Sequence, residues 1–246
     1  MSKTELELIT PDWPAPANVK ALSTTRHGGT STGPYAALNL GSHVGDDPQS
    51  VIANRALLGQ HLPMEPLWLT QVHGTTVVNA ACTCPHAEAD ASIARMANRI
   101  CTIMTADCLP VLFCDTQGTA VGAAHAGWRG LNAGILEATV KAMQTPPGEI
   151  MAWLGPAIGP DAFEVGSEVR TAFIAHALAA TSAFRPSTHD GKWLADLYQL
   201  ARQRLAACGV TQVYGGNRCT FTEEETFFSY RRDSTTGRMA SLIWLE

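Results

Sequence analysis

TADCLPVLF, Thr105 to Phe113, is an apolar run broken near its start by an aspartate and a cysteine, with a proline two residues after the cysteine. Short runs rich in Val, Leu and Phe between turn formers are expected to be buried strands. ICTIMT lies before the break, and TAVGAA, a fully apolar strand, comes after it and ends at His125. Upstream, PLWLTQV and TTVVNA form another expected strand pair, interrupted at His73-Gly74. Each interruption exposes a metal-capable side chain: His73, Cys108 or His125. A polar group at a buried strand end must find a partner or lose roughly 1–3 kcal/mol. A zinc ion is one partner that all three can share. One thiolate and two imidazoles, with a fourth position left to water, is the donor set of a catalytic zinc site, not a structural one. A bound Cys108 ionises without a separate base.

Taken singly, these residues have plainer readings. Free cysteine is among the most buried residue types, so Cys108 alone reads as a small core residue. His73 alone reads as a hydrogen-bonded turn residue. The three match no short ligand motif; what joins them is their place at strand ends, where one sheet can bring them together. His86-Ala87-Glu88 fits half of the zinc nucleobase deaminase signature, but the Pro-Cys-x-x-Cys half is missing. Cys82 and Cys84 have one residue between them instead of two, a poor spacing for a zinc knuckle or thioredoxin motif. Both segments are expected in accessible loops.

Arginines supply candidate substrate contacts, because the planar guanidinium fork suits phosphate and carboxylate. Arg26 ends a strand before Gly28-Gly29, and Arg129 sits in the turn after His125, where a helix N-terminus also attracts anions. Arg231 and Arg232 follow FFSY, so at least one of them, assigned here as Arg232, is expected to face a cleft. Asp107, next to Cys108, is a candidate metal-ligand orienter or proton carrier, with turn capping as the alternative.

The rest of the chain sets the frame. NVKALSTTR is an expected strand running into a Gly-rich loop, and Asp47 and Pro48 mark a helix start. GLNAGILEATVKAMQ has helical periodicity, two further helices are expected near 167–178 and 194–208, and VTQVYGG, TFFSYRR and MASLIWLE return to strands. This alternation predicts an α/β protein of mixed α+β character: one domain over 1–246, with mixed sheets covered by helices. Its 46% hydrophobic and 16% charged residues supply an ordinary globular core. A net charge of −5 without a basic run argues against nucleic acid as a partner. No 18-residue apolar stretch exists to span a membrane. Seven cysteines, an odd number, without a secretory h-region point to free thiols and a cytoplasmic protein.

TRHGG, LNLGSHVGDD, QVHG, TADCLPVLF, AHAGWRG, WLGPAIG, FEVG, DLYQLARQRL and ETFFSYRRDSTTGRMASLIWL together resemble the bacterial YfiH family, also called laccase-domain or polyphenol oxidase proteins. The resemblance runs from about Val19 to Glu246. It implies an α/β/β/α sandwich and a zinc ion held by His73, Cys108 and His125. It also implies purine nucleoside phosphorylase activity on adenosine, inosine and guanosine, with methylthioadenosine phosphorolysis and adenosine deamination beside it. A further implied role is editing of a UDP-muramoyl precursor that carries L-serine. The expected partners are therefore purine nucleosides and phosphate, or that precursor, bound by a monomer or homodimer.

Copper is disfavoured as the cofactor. A multicopper oxidase relies on repeated His-x-His pairs, whereas this sequence has eight histidines and no such pair, and zinc has no redox chemistry of its own. Two other classes use the same residues. One is an amide hydrolase, either with Cys108 as nucleophile and a histidine as its base or with metal assistance. The other is a non-enzymatic, metal-stabilised binding protein.

Overall fold

The interruption at Ala106-Asp107-Cys108 is where the chain leaves one sheet and enters another. In the computed structural model, which describes residues 5–81 and 86–246, β5 (Cys101–Thr105) and β6 (Leu109–Asp115) flank it. They do not form a hairpin. β5 is the edge of a four-stranded sheet with β1 (Leu8–Ile9), β2 (Val19–Thr24) and β13 (Met239–Leu245), in the order β1-β2-β13-β5. β6 lies inside a six-stranded sheet ordered β12-β8-β6-β7-β4-β3. Its other members are β3 (Val77–Asn79), β4 (Ala91–Ala94), β7 (Val121–Ala126), β8 (Ile150–Leu154) and β12 (Gln212–Gly215). β3–β4 and β8–β12 pair in parallel and the other neighbours antiparallel, so this sheet is mixed.

Side-chain alternation on β6 explains the layering, since successive residues of a strand face opposite sides of the sheet. Leu109, Val111 and Phe113 pack with Leu136 and Val140 of α3 (Ile135–Met143) and Leu205 of α5 (Leu197–Ala207). Leu112 and Cys114 face the opposite way, onto Ile103 of β5 and Ile243 of β13. Both faces of β6 are therefore buried, which is why it reads as an uninterrupted apolar run. The outer face of the four-stranded sheet carries Leu22 and Leu242 against Leu58 of α1 (Pro48–Gly59). The layers run helix, sheet, sheet, helix.

Several local signals act as expected. The Asp47 carboxylate accepts from the N–H groups of Gln49 and Ser50, capping α1 behind Pro48. Asp196 caps α5 through the Gln199 N–H, so that helix starts at Leu197, not Leu194. Leu194 instead belongs to β11 (Lys192–Ala195), which joins β9 (Glu164–Gly166) and β10 (Phe184–Pro186) in a small third sheet beside α4 (Ser167–His176). Gly134, at φ +104°, splits the helix expected after Gly130 into α2 (Trp128–Ala133) and α3.

Two expected strands are corrected. PLWLTQV makes only isolated bridges at Leu67 and Thr70. The free edge of β5 is met beside it by a side chain: Gln71 Nε2 donates to the Met104 carbonyl at 2.8 Å, and Gln71 Oε1 accepts the Met104 N–H at 2.8 Å. TFFSYRR is a loop leading into the single-turn helix α6 (Tyr230–Asp233). Phe227 and Phe228 are fully buried there, so the apolar content that reads as a strand plugs the core from a loop. The Cys82-Thr83-Cys84 segment lies outside the described residues, and His86 and Glu88 are exposed.

Candidate metal centre and substrate cleft

Cys108 ends the crossing between sheets, one residue before β6, while His125 lies in the antiparallel neighbour β7, with Pro110 and His125 as partners in register. Strand pairing thus brings these two residues close. His73 arrives on the turn before β3, with its backbone at φ +61°, a conformation that costs a non-glycine residue and needs support.

Asp90 provides that support. Its fully buried carboxylate accepts hydrogen bonds from the backbone N–H groups of Val72, His73 and Gly74 at 3.2, 2.9 and 2.7 Å. It also bonds Nδ1 of His125 at 2.8 Å. One carboxylate therefore fixes both the His73 turn and the His125 ring, and it leaves Nε2 of His125 as the coordinating atom. This is the carboxylate–histidine support that metal-binding imidazoles commonly have. Burial opposes the ionisation of Asp90, yet the bonds from His125 and from the Gly74 and Val72 N–H groups hold its pKa below the usual carboxylate value.

The ligand atoms of His73, Cys108 and His125 all lie within 4.8 Å of one another. Cys108 Sγ is 3.8 Å from His73 Nε2, a separation that one ion bonded to both at about 2.0–2.3 Å would span. A Cβ added at Gly127 would sit 2.9 Å from His73 Cδ2 and 3.0 Å from Cys108 Sγ. Glycine there leaves the donors room to converge. Burial opposes thiolate formation at Cys108, but the charge and hydrogen bond of His125, together with His73, outweigh it and bring the thiol down to about 6. Reciprocally, burial disfavours the His125 cation, and Cys108 and Asp90 overcome this to raise it to about 9. Cys101 and Cys114, buried without such partners, are pushed up to about 12. The donor set and its supports fit a bound zinc ion.

The triad opens into a cleft of about 530 Å3 whose walls include Trp128, Phe163, Tyr230, Arg129, Arg231 and Arg238. Arg129 stacks on Trp128 at 4.6 Å and makes no hydrogen bond or ion pair among the described residues. Asp107 lines the cleft, but its carboxylate is engaged: Oδ1 accepts from Thr220 Oγ1 and Oδ2 from the Arg231 N–H, both at 2.6 Å. Arg26 and Arg232 lie elsewhere, in a separate open groove with Glu224 and Asp233. Their guanidinium groups donate to backbone carbonyls, Arg26 to those of Ala36 and Glu224, Arg232 to those of Thr220, Phe221 and Phe227. Of the tandem pair, Arg231 is the one at the triad cleft.

Sequence reading missed Asp90, Gly127, His43 and Arg238. An aspartate directly before the apolar ASIA of β4 was the available signal for the first, since a buried charge needs partners.

Fold and donor set define a layered α/β protein in which a His-Cys-His group able to hold a metal ion lies at the base of a cleft. The chain belongs to the family described as multi-copper polyphenol oxidoreductase laccase, whose model matches residues 20–246. It is 59% identical over 238 residues to a purine nucleoside phosphorylase of Pseudomonas aeruginosa, covering 97% of this chain and 98% of that protein. It is 58% identical over 243 residues to the purine nucleoside phosphorylase YfiH of Escherichia coli, covering 97% and 99%. A crystal structure of a Neisseria meningitidis protein matches with a TM-score of 0.94 at 57% identity, over 97% of this chain and 99% of that one. The crystal structure of YlmD from Geobacillus stearothermophilus matches with a TM-score of 0.88 at 34% identity, over 99% of both chains. The YfiH resemblance drawn from the motifs is thus met. Among the described residues His73, Cys108 and His125 are the one group of three or more such side chains that could hold a metal ion. No helix among the described residues is long and apolar enough to cross a membrane.

Proposed function

We propose that this chain is a zinc-dependent purine nucleoside phosphorylase acting on adenosine, inosine and guanosine, and on methylthioadenosine, with adenosine deamination as a companion activity. The observation that carries the reading is the cleft: a His-Cys-His donor set lies beneath aromatic and cationic walls, in a chain 58% identical to a protein bearing that name. In phosphorolysis a phosphate oxygen bonds to the ribose carbon as the glycosidic bond breaks; the bond's electron pair goes to the base nitrogen, and the proton lost by phosphate ends on the base. His73, Cys108 and His125 would hold the zinc ion, which when bound would supply a Lewis acid to disperse negative charge. Trp128 and Tyr230 offer flat faces for the purine, and Arg129 faces the anion from the α2 side. Asp107 acts as a positioning residue that ties the Arg231 backbone to the cleft wall. Five free thiols among the described residues fit a cytoplasmic enzyme.

A second reading is favoured by one observation, the thiol held at about 6 beside His125. A nucleophilic Cys108 with a histidine base would act on an amide or ester, a chemistry compatible with editing of a UDP-muramoyl precursor. Product analysis separates the readings. Adenosine with phosphate should give adenine and ribose 1-phosphate, and protein purified without added metal should carry near-stoichiometric zinc. Cys108→Ala should abolish both. A folded Cys108→Ala protein with full turnover would remove the triad from catalysis.

A further inference from the structure

LNLGSHVGDD, residues 38–47, is a motif that the metal centre does not use. Leu38 and Leu40 are fully buried and anchor this loop to the core, and Asn39 between them is buried as well. Asn39 Oδ1 accepts the N–H groups of Gly41 and Arg238, both at 2.9 Å, and the Leu40 N–H donates to the Arg238 carbonyl at 3.1 Å. The loop is thereby fastened to the segment just before β13. A Cβ at Gly41 would meet Arg238 Cγ at 2.8 Å, so glycine there is what lets the arginine stem lie across the loop. Both His43, on this loop, and Arg238 line the triad cleft.

The Arg238 guanidinium is oriented in advance. Nη1 donates to the carbonyls of Thr236 and Gly237 at 3.0 and 2.9 Å, while Nε and Nη2 have no partner among the described residues. Burial, then the Arg238 and Arg55 charges, depress the His43 pKa. An anion beside the pair would offset that repulsion. The cleft lining holds one carboxylate, Asp107, and both of its oxygens are engaged. A chain of net charge −5 thus presents an electropositive pocket at this point. Arg129, on the α2 side, is exposed and held only by stacking on Trp128.

We infer that Arg238 and His43 form the principal seat for inorganic phosphate, the attacking co-substrate, with Arg129 as an auxiliary contact. This rests on the phosphorylase reading for the choice of anion. Arg238 fixes an orientation through its pinned Nη1 and offers two free donor nitrogens, Nε and Nη2, to a tetrahedral oxyanion; His43 adds a donor from the loop fastened beneath it.

The test measures inorganic phosphate binding directly, by calorimetry on zinc-loaded protein, alongside KM for phosphate and for adenosine. Arg238→Gln should raise the phosphate Kd and KM by about 10- to 100-fold, as expected for losing a charge-assisted contact, with a smaller change in adenosine KM. His43→Gln should raise the phosphate Kd without disturbing the Gly41 packing. If Arg238→Gln melts at the assay temperature, Arg238→Lys keeps the stem and one charge and should show an intermediate loss. An unchanged phosphate Kd in the folded Arg238 and His43 variants overturns the seat, as does a loss confined to Arg129→Gln. Phosphate binding that depends on Arg238 in a protein that phosphorolyses no nucleoside keeps the seat and removes the phosphorylase reading. Phosphorolysis that is indifferent to Arg238 does the reverse.

Discussion

Replacing Asp90 with asparagine keeps the shape of the side chain and removes one acceptor position. Oδ1 serves the His73 N–H and His125 Nδ1, and Oδ2 serves the Val72 and Gly74 N–H groups. The amide must place its NH2 toward one of these pairs, so two donors face a donor in a site with no solvent exposure. Each buried donor left unpaired costs about 1–3 kcal/mol. With the amide at the Oδ1 position, the strained His73 turn and the His125 ring both lose their tether. At the Oδ2 position, the turn loosens on either side of His73. The first placement loosens two of the three donors and the second loosens His73 alone; either way zinc affinity should fall by about 10- to 100-fold, the usual effect of losing a ligand's supporting partner. Competition with a chromophoric chelator measures this without reference to catalysis, and circular dichroism reports whether the variant is folded. A folded Asp90→Asn protein with a zinc Kd within twofold of the parent would refute the idea that this carboxylate organises the centre.

Gly127→Ala tests the convergence from the other side. Its Cβ would lie under 3.0 Å from the His73 ring, a steric cost of about 1–3 kcal/mol, so zinc content should drop more than that of a Gly148→Ala control, whose Cβ meets nothing within 4 Å. In metal-free protein, Cys108 is a depressed acid: its thiolate persists as pH falls and is lost on passing through about 6. Iodoacetamide alkylation of Cys108 should therefore show a midpoint near that pH. Cys101 and Cys114 should stay unreacted at pH 8, since burial holds both at about 12, and zinc should protect Cys108. Mass spectrometry of the alkylated peptides checks this, and an apparent midpoint at or above pH 8.5 would contradict the coupling to His125.

Local chemistry was legible wherever the cause was local. Asp47-Pro48 gives a helix start because a carboxylate satisfies orphan N–H groups and proline has none to lose. The apolar runs of β6, β7 and β13 read as strands because both faces of each are buried. The three candidate metal donors were legible as interruptions of such runs. What sequence pattern could not carry was partner choice. ICTIMT and LPVLFCD look like a hairpin, yet pair with different strands in different sheets, because alternation specifies faces and leaves neighbours open. PLWLTQV and TFFSYRR have strand-like composition, but one lies beside an edge met by the Gln71 side chain and the other packs its phenylalanines as a loop.

By itself, the sequence determined which residues are able to bind a metal and which runs must be buried, since donor chemistry and hydrophobicity belong to each residue. Only the tertiary structure decided that Asp90 serves His73 and His125 together, that Arg26 and Arg232 lie in another groove, and that Arg238 faces the triad cleft with His43. Those facts depend on distances between atoms remote along the chain, and such distances are set when the two sheets stack.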